Sequence, residues 1–206
     1  MNLKKLKAVE ATFLEKHPGG FLSEEMQALG KKHRMAQMIS FSQDAFKKSA
    51  FRRHQVVVED MVRAVSRASM VSMFEKPKFR DFVHGLSPAE ISQLSNGLKN
   101  FLHANQQKGF EQMVEILLPE KLAKWSLLTI IPNYVHPAAE VFVKPTTAKC
   151  VIEHFELQGL QYKPRPSWEF YEEYRQQILA MRARVDDCIA PNNAAFCGFL
   201  MMSLPG

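Results

Sequence analysis

The turn Lys144-Pro145-Thr146-Thr147, followed two residues later by Lys149, has the residue types that hold a small anion. Proline suits the first position of a helix, where its missing N–H is no loss. The remaining free N–H groups of such a turn point outward at the positive end of the helix dipole. Two threonine hydroxyls and two lysines would add hydrogen bonds and charge. No glycine lets the backbone wrap a phosphate, so the stretch is not a P-loop. The alternative is an ordinary helix start whose apolar side, Val151, Ile152 and Phe155, packs inward. A second chemistry lies in the basic residues. Lys31, Lys32 and Arg34, then Lys48, Arg52 and Arg53, then Arg63 and Arg67 can together follow a phosphate backbone with salt-dependent, largely sequence-independent contacts. For each cluster alone the simpler reading is a solvated helix face. Tyr134 and His136 are candidates for acid–base work, but no carboxylate or nucleophile stands at a recognised spacing from them. There is no HExxH, GxSxG or dinucleotide-binding fingerprint and no CxxC pair, so neither a metal nor a cofactor is expected.

Bulk composition narrows the classes. Of 27 Lys and Arg and 21 Asp and Glu, residues 1–80 hold 16 and 8, leaving 11 and 13 for residues 81–206. The basic part is therefore the first part, and its natural partner is anionic. Three cysteines in no paired spacing read as reduced thiols. The longest apolar runs, such as WSLLTIIP, fall far short of the ~20 residues that span a bilayer. The N-terminus lacks the apolar core of a secretory signal. The expected location is the cytoplasm, without a membrane partner.

The segment VFVKPTTAKCVIEHFEL, residues 141–157, resembles helix-hairpin-helix DNA glycosylases, in which an extended apolar triplet and an aspartate lead into a Thr-containing helix start. The resemblance covers under a tenth of the chain and implies an all-helical fold with a nucleic-acid surface. Lys144 stands where that family has its catalytic aspartate, and LTIIPNYVHPAAE lacks the glycine-rich hairpin, so glycosylase chemistry is not implied.

The elements that must position these residues are helices. Ser87-Pro88-Ala89-Glu90 is a capping box, followed by Ile91, Leu94, Leu98, Phe101 and Leu102 on one face. Residues 47–73 carry Phe51, Val57, Val58, Met61, Val62 and Val65 within one arc, a core helix. Residues 23–46 form a helix or pair interrupted at Gly30, and Ser167 caps a helix through Val185. Gly109 is expected to mark a break or bend, and Pro119 to open a helix that ends before Pro132. Met35, Met38, Met61, Met70 and Met73 are expected to fill the core; a methionine groove for a partner helix is the sharper alternative. Prolines at 132, 137, 145, 164 and 166 make residues 132–166 irregular, the kind of zone in which sites are built.

The expected fold is a single all-α domain over residues 1–206, a compact orthogonal bundle of seven to nine helices. The leading functional reading is nucleic-acid or other polyanion binding. The alternative is a protein-interaction or assembly subunit, hetero- or homo-oligomeric, that buries its apolar tail, residues 194–206, against a partner. An enzyme of unrecognised type at residues 132–166 ranks third, and binding is favoured over catalysis.

Overall fold

The computed structural model describes residues 1–204, and every regular element among them is helical. Eleven α-helices follow one another: α1 (Leu3–Lys16), α2 (Glu24–Lys32), α3 (Met35–Ala45), α4 (His54–Arg67), α5 (Glu75–Gly85), α6 (Pro88–His103), α7 (Gln106–Leu117), α8 (Trp125–Val135), α9 (Pro145–His154), α10 (Trp168–Arg182) and α11 (Asn193–Ser203). The all-α expectation holds, but seven to nine helices is too few. Residues 23–46 divide at Arg34, whose left-handed backbone (φ 54°) separates α2 from α3. Residues 47–73 divide into a short 3-10 turn, Lys48–Arg52, then α4 and a non-helical turn. α5 has only Phe79 and Val83 buried, one turn apart, too thin a stripe to stand out in the sequence. The apolar tail itself is α11, and Pro205 and Gly206 lie outside the described residues.

Three local expectations are corrected. Gly109 does not break a helix but lies inside α7, where a Cβ would come within 2.1 Å of the Phe101 backbone nitrogen. Glycine is there so that α6 and α7 can cross at backbone distance. Pro119 lies in a turn, and α8 starts only at Trp125 and carries Pro132 within it. Proline removes a helical hydrogen bond, yet all 11 residues of α8 are buried, packed by α3, α4, α6, α7 and α11, and tertiary packing overrides the local defect. Met73 is 79% exposed rather than core, whereas Met38 and Met61 are buried.

The local signals that do hold are chemical ones. Ser87 and Glu90 form the reciprocal capping box, and the Ser167 hydroxyl accepts from the Phe170 N–H. Phe51, Val57, Val58, Met61, Val62 and Val65 all enter one contiguous core that also takes Phe101, Phe110, Trp125 and Tyr171. Between α8 and α9 the chain turns over residues 136–139 and then runs through residues 140–144 without becoming a strand. Val141, Phe142 and Val143 are buried, and the Val143 N–H donates to Thr129 Oγ1 at 3.0 Å.

Candidate functional site

Lys144 is the N-cap of α9, extended (φ −93°, ψ 122°), with Pro145 at the first helical position and no side-chain cap. Thr146 is exposed, Thr147 half-buried, and the turn is open as the sequence suggests. The two lysines nevertheless serve different places. The Lys149 ammonium sits 5.1 Å from the centroid of the Tyr162 ring, at a shallow concavity that also includes Glu153. Lys144 instead lines the wall of a separate groove that Lys149 does not reach. The four residues Lys144, Thr146, Thr147 and Lys149 are thus one turn but not one converging cradle.

That groove, about 410 Å³, lies between α2, α3, the turn after α4, the start of α9 and α11. Its existence follows from how α11 is divided. Asn192 caps the helix by accepting from the Ala195 N–H, and Phe196, Phe199 and Leu200 then face the core. Ala195, Gly198, Met201 and Met202, spaced by three and four, face the groove. Met26 and Leu29 of α2, Met35 and Ile39 of α3, and Met70 complete the apolar wall. Among the described residues the only side chains with titratable nitrogen on it are His33 and Lys144, and none of them lines it with a carboxylate. Met35 and Met70 are the sequence's own hint of this groove. Met201 and Met202 are hidden because they lie in an apolar tail without a polar face.

The basic residues of the first part are spread over three elements. Lys31, Lys32 and Arg34 are exposed at the junction of α2 and α3, next to His33 and the groove rim. Lys48 and Arg52 are exposed in the 3-10 turn, and Arg53 precedes α4. Among the described residues these six make no ion pair. Arg63 is committed to Asp60 at 2.9 Å, and the Arg67 guanidinium lies 5.7 Å over the Phe41 ring.

The irregular zone holds a buried polar knot. Glu140, 3% exposed, accepts on Oε1 from Arg175 Nη1 at 2.7 Å and Gln106 Nε2 at 2.8 Å, and on Oε2 from the Tyr171 hydroxyl at 2.6 Å. Its backbone carbonyl accepts from Asn193 Nδ2, and Asn193 Oδ1 from Arg182 Nη1. The carboxylate's charge and both its oxygens are satisfied, which ties α7, α10 and α11 to the segment before α9. Burial, with the Glu140 charge beside it, holds the Tyr171 hydroxyl well above the usual tyrosine range. His136 is tied to the Leu102 carbonyl through Nε2 at 3.1 Å. Tyr134 is fully buried, its hydroxyl without a partner among the described residues and pushed up to about 12 by desolvation. Burial, with Asp186 beside Cys188, pushes the thiols of Cys188 and Cys197 up to about 11, away from the lowered range of activated cysteines. Among the described residues no group of three or more His, Cys, Asp or Glu could hold a metal ion, and no helix is long and apolar enough to cross a membrane.

The chain matches no protein-family model, no curated protein and no solved structure.

Proposed function

We propose that this protein is a binding module whose groove between α2, α3 and α11 receives an anionic partner that offers apolar surface. One observation carries the reading: a concavity of about 410 Å³ walled by methionines and small residues, with Lys144 and His33 on it and no carboxylate among the described residues that line it. Five flexible, polarisable thioethers make a surface that adapts to its occupant, and the volume is in the range of small-ligand sites, about 300–1,000 Å³. The assembly reading and the groove reading meet in α11, whose outer face is the wall a partner would touch. Anilinonaphthalene sulfonate, an aromatic anion that fluoresces in apolar surroundings, tests it. Saturable fluorescence that disappears in Ala195→Trp, with helical circular dichroism unchanged, supports the groove. Equal fluorescence in the two proteins sinks it.

A second reading, polyanion binding by the basic first part, is favoured by the six exposed cations at the α2–α3 junction and before α4 that make no ion pair among the described residues. Titration with DNA and RNA at two salt concentrations separates it from the groove, because phosphate contacts alone bring a steep salt dependence.

A further inference from the structure

The occupant's class is written in the wall of the groove, and we infer that it is a single aliphatic chain ending in a carboxylate, the chain lying along α11 and the carboxylate meeting the Lys144 ammonium. This rests on the groove being the binding site. The reasoning starts from shape. Ala195 and Gly198 present little side chain on the α11 wall, and a Cβ added at Gly198 would stand in ordinary contact with the Phe21 ring, 3.4 Å away. The opposing wall is Met26, Leu29, Met35 and Ile39, with Phe21 the one aromatic hydrocarbon ring on the whole lining. A flat ring system would be expected to stack on several aromatic faces. A chain without fixed shape is matched by unbranched thioethers, each of which can change rotamer to follow it.

The charge is as selective as the shape. Lys144 is exposed, makes no ion pair among the described residues, and is the lysine of the α9 start that faces the groove. No arginine lines the groove, so there is no planar fork for bidentate recognition of a phosphate. One ammonium on an otherwise apolar wall suits one carboxylate. The chain is taken as a free monomer from solution, not as part of a lipid layer.

The test uses the full chain and dodecanoate held below its micelle concentration, followed by displacement of anilinonaphthalene sulfonate and by calorimetry. Dodecanoate should displace the dye and release heat with one site per chain. Dodecyltrimethylammonium, with the same tail and opposite charge, should bind at least about tenfold more weakly, the scale of a charge-assisted hydrogen bond. Lys144→Glu should reverse that order, and Lys144→Met should abolish the difference between the two ligands while keeping tail binding. Circular dichroism of both variants should match the parent, since Lys144 is exposed. If the dye binds in the groove but dodecanoate fails to displace it, the aliphatic carboxylate is wrong and the groove reading survives. If the dye does not bind either, both fall. Binding to dodecanoate-containing vesicles without binding to the monomer overturns the free-ligand assignment, and an unchanged preference in Lys144→Glu overturns the role of that lysine.

Discussion

Tyr134 and Glu140 are both buried polar groups in the same zone, and they behave oppositely because one is satisfied and the other is not. The Tyr134 hydroxyl has no partner among the described residues, so its removal costs no hydrogen bond. Tyr134→Phe should leave stability at neutral pH unchanged or raise it by up to about 1 kcal/mol, read from urea unfolding. Its pH dependence has a definite sign. The unfolded chain sheds this proton near pH 10 and the folded chain near 12, so stability is complete below about pH 10 and falls as the pH climbs toward 12. Tyr134→Phe should make that alkaline fall shallower. Some decline remains, because burial raises Tyr171 and Tyr174 in the same direction. Glu140 is the reverse case. Arg175→Met leaves its carboxylate buried opposite an apolar side chain, at a cost of about 3–5 kcal/mol. Adding Glu140→Leu removes the stranded charge, and a double variant no more stable than the single one would show that the knot's charge is not what the single change exposes.

At the scale of elements, what was legible in the sequence was whatever one turn of chain decides. The capping box at Ser87, the cap at Ser167, the Pro145 helix start and the buried arc of α4 need only neighbours three or four residues away. The misreadings came from partners distant in sequence. Gly109 looks like a break until α6 is beside it, and Pro132 looks like an end until five helices enclose α8. The α9 start is visible in the sequence, but its orientation is not: that Lys144 lines the groove and Lys149 lies by Tyr162 depends on where α11 and residue 162 arrive. The groove is similarly out of reach, since only Met35 and Met70 of its methionines stand at helical spacings in the sequence. Gly109→Ala makes the point quantitatively. Its Cβ would meet backbone, which cannot rotate away, so the α6–α7 pair must separate and stability should drop by about 3 kcal/mol or more in a thermal or denaturant melt. A loss below about 1 kcal/mol, the helix-propensity range in which alanine is favoured over glycine, would mean that the crossing is not as close as the structure has it.

For the whole molecule the question is whether the uneven charge and the groove are one device or two. Residues 1–80 carry the positive excess, and Lys31, Lys32 and Arg34 flank His33 at the groove rim, while Arg52 and Arg53 sit at the 3-10 turn and the start of α4. Long-range attraction of an anion to the first group would raise its concentration near the groove without touching its affinity for the apolar wall. Contacts by the second group would bind a polyanion directly. Replacing Arg52, Arg53 and Arg67 by Glu separates these contributions. If the basic part grips nucleic acid, the triple variant should lose affinity for every sequence alike and flatten the salt dependence, by about 0.9 in log–log slope for each phosphate contact removed. Arg67, already stacked over Phe41, should account for less of the change than Arg52 and Arg53, which have no ion-pair partner among the described residues. Dye binding in the groove should be untouched by the triple change, and Ala195→Trp should leave nucleic-acid affinity where it was. Loss of both activities in either variant, with the fold intact by circular dichroism, would mean that a single surface runs from α4 to the groove.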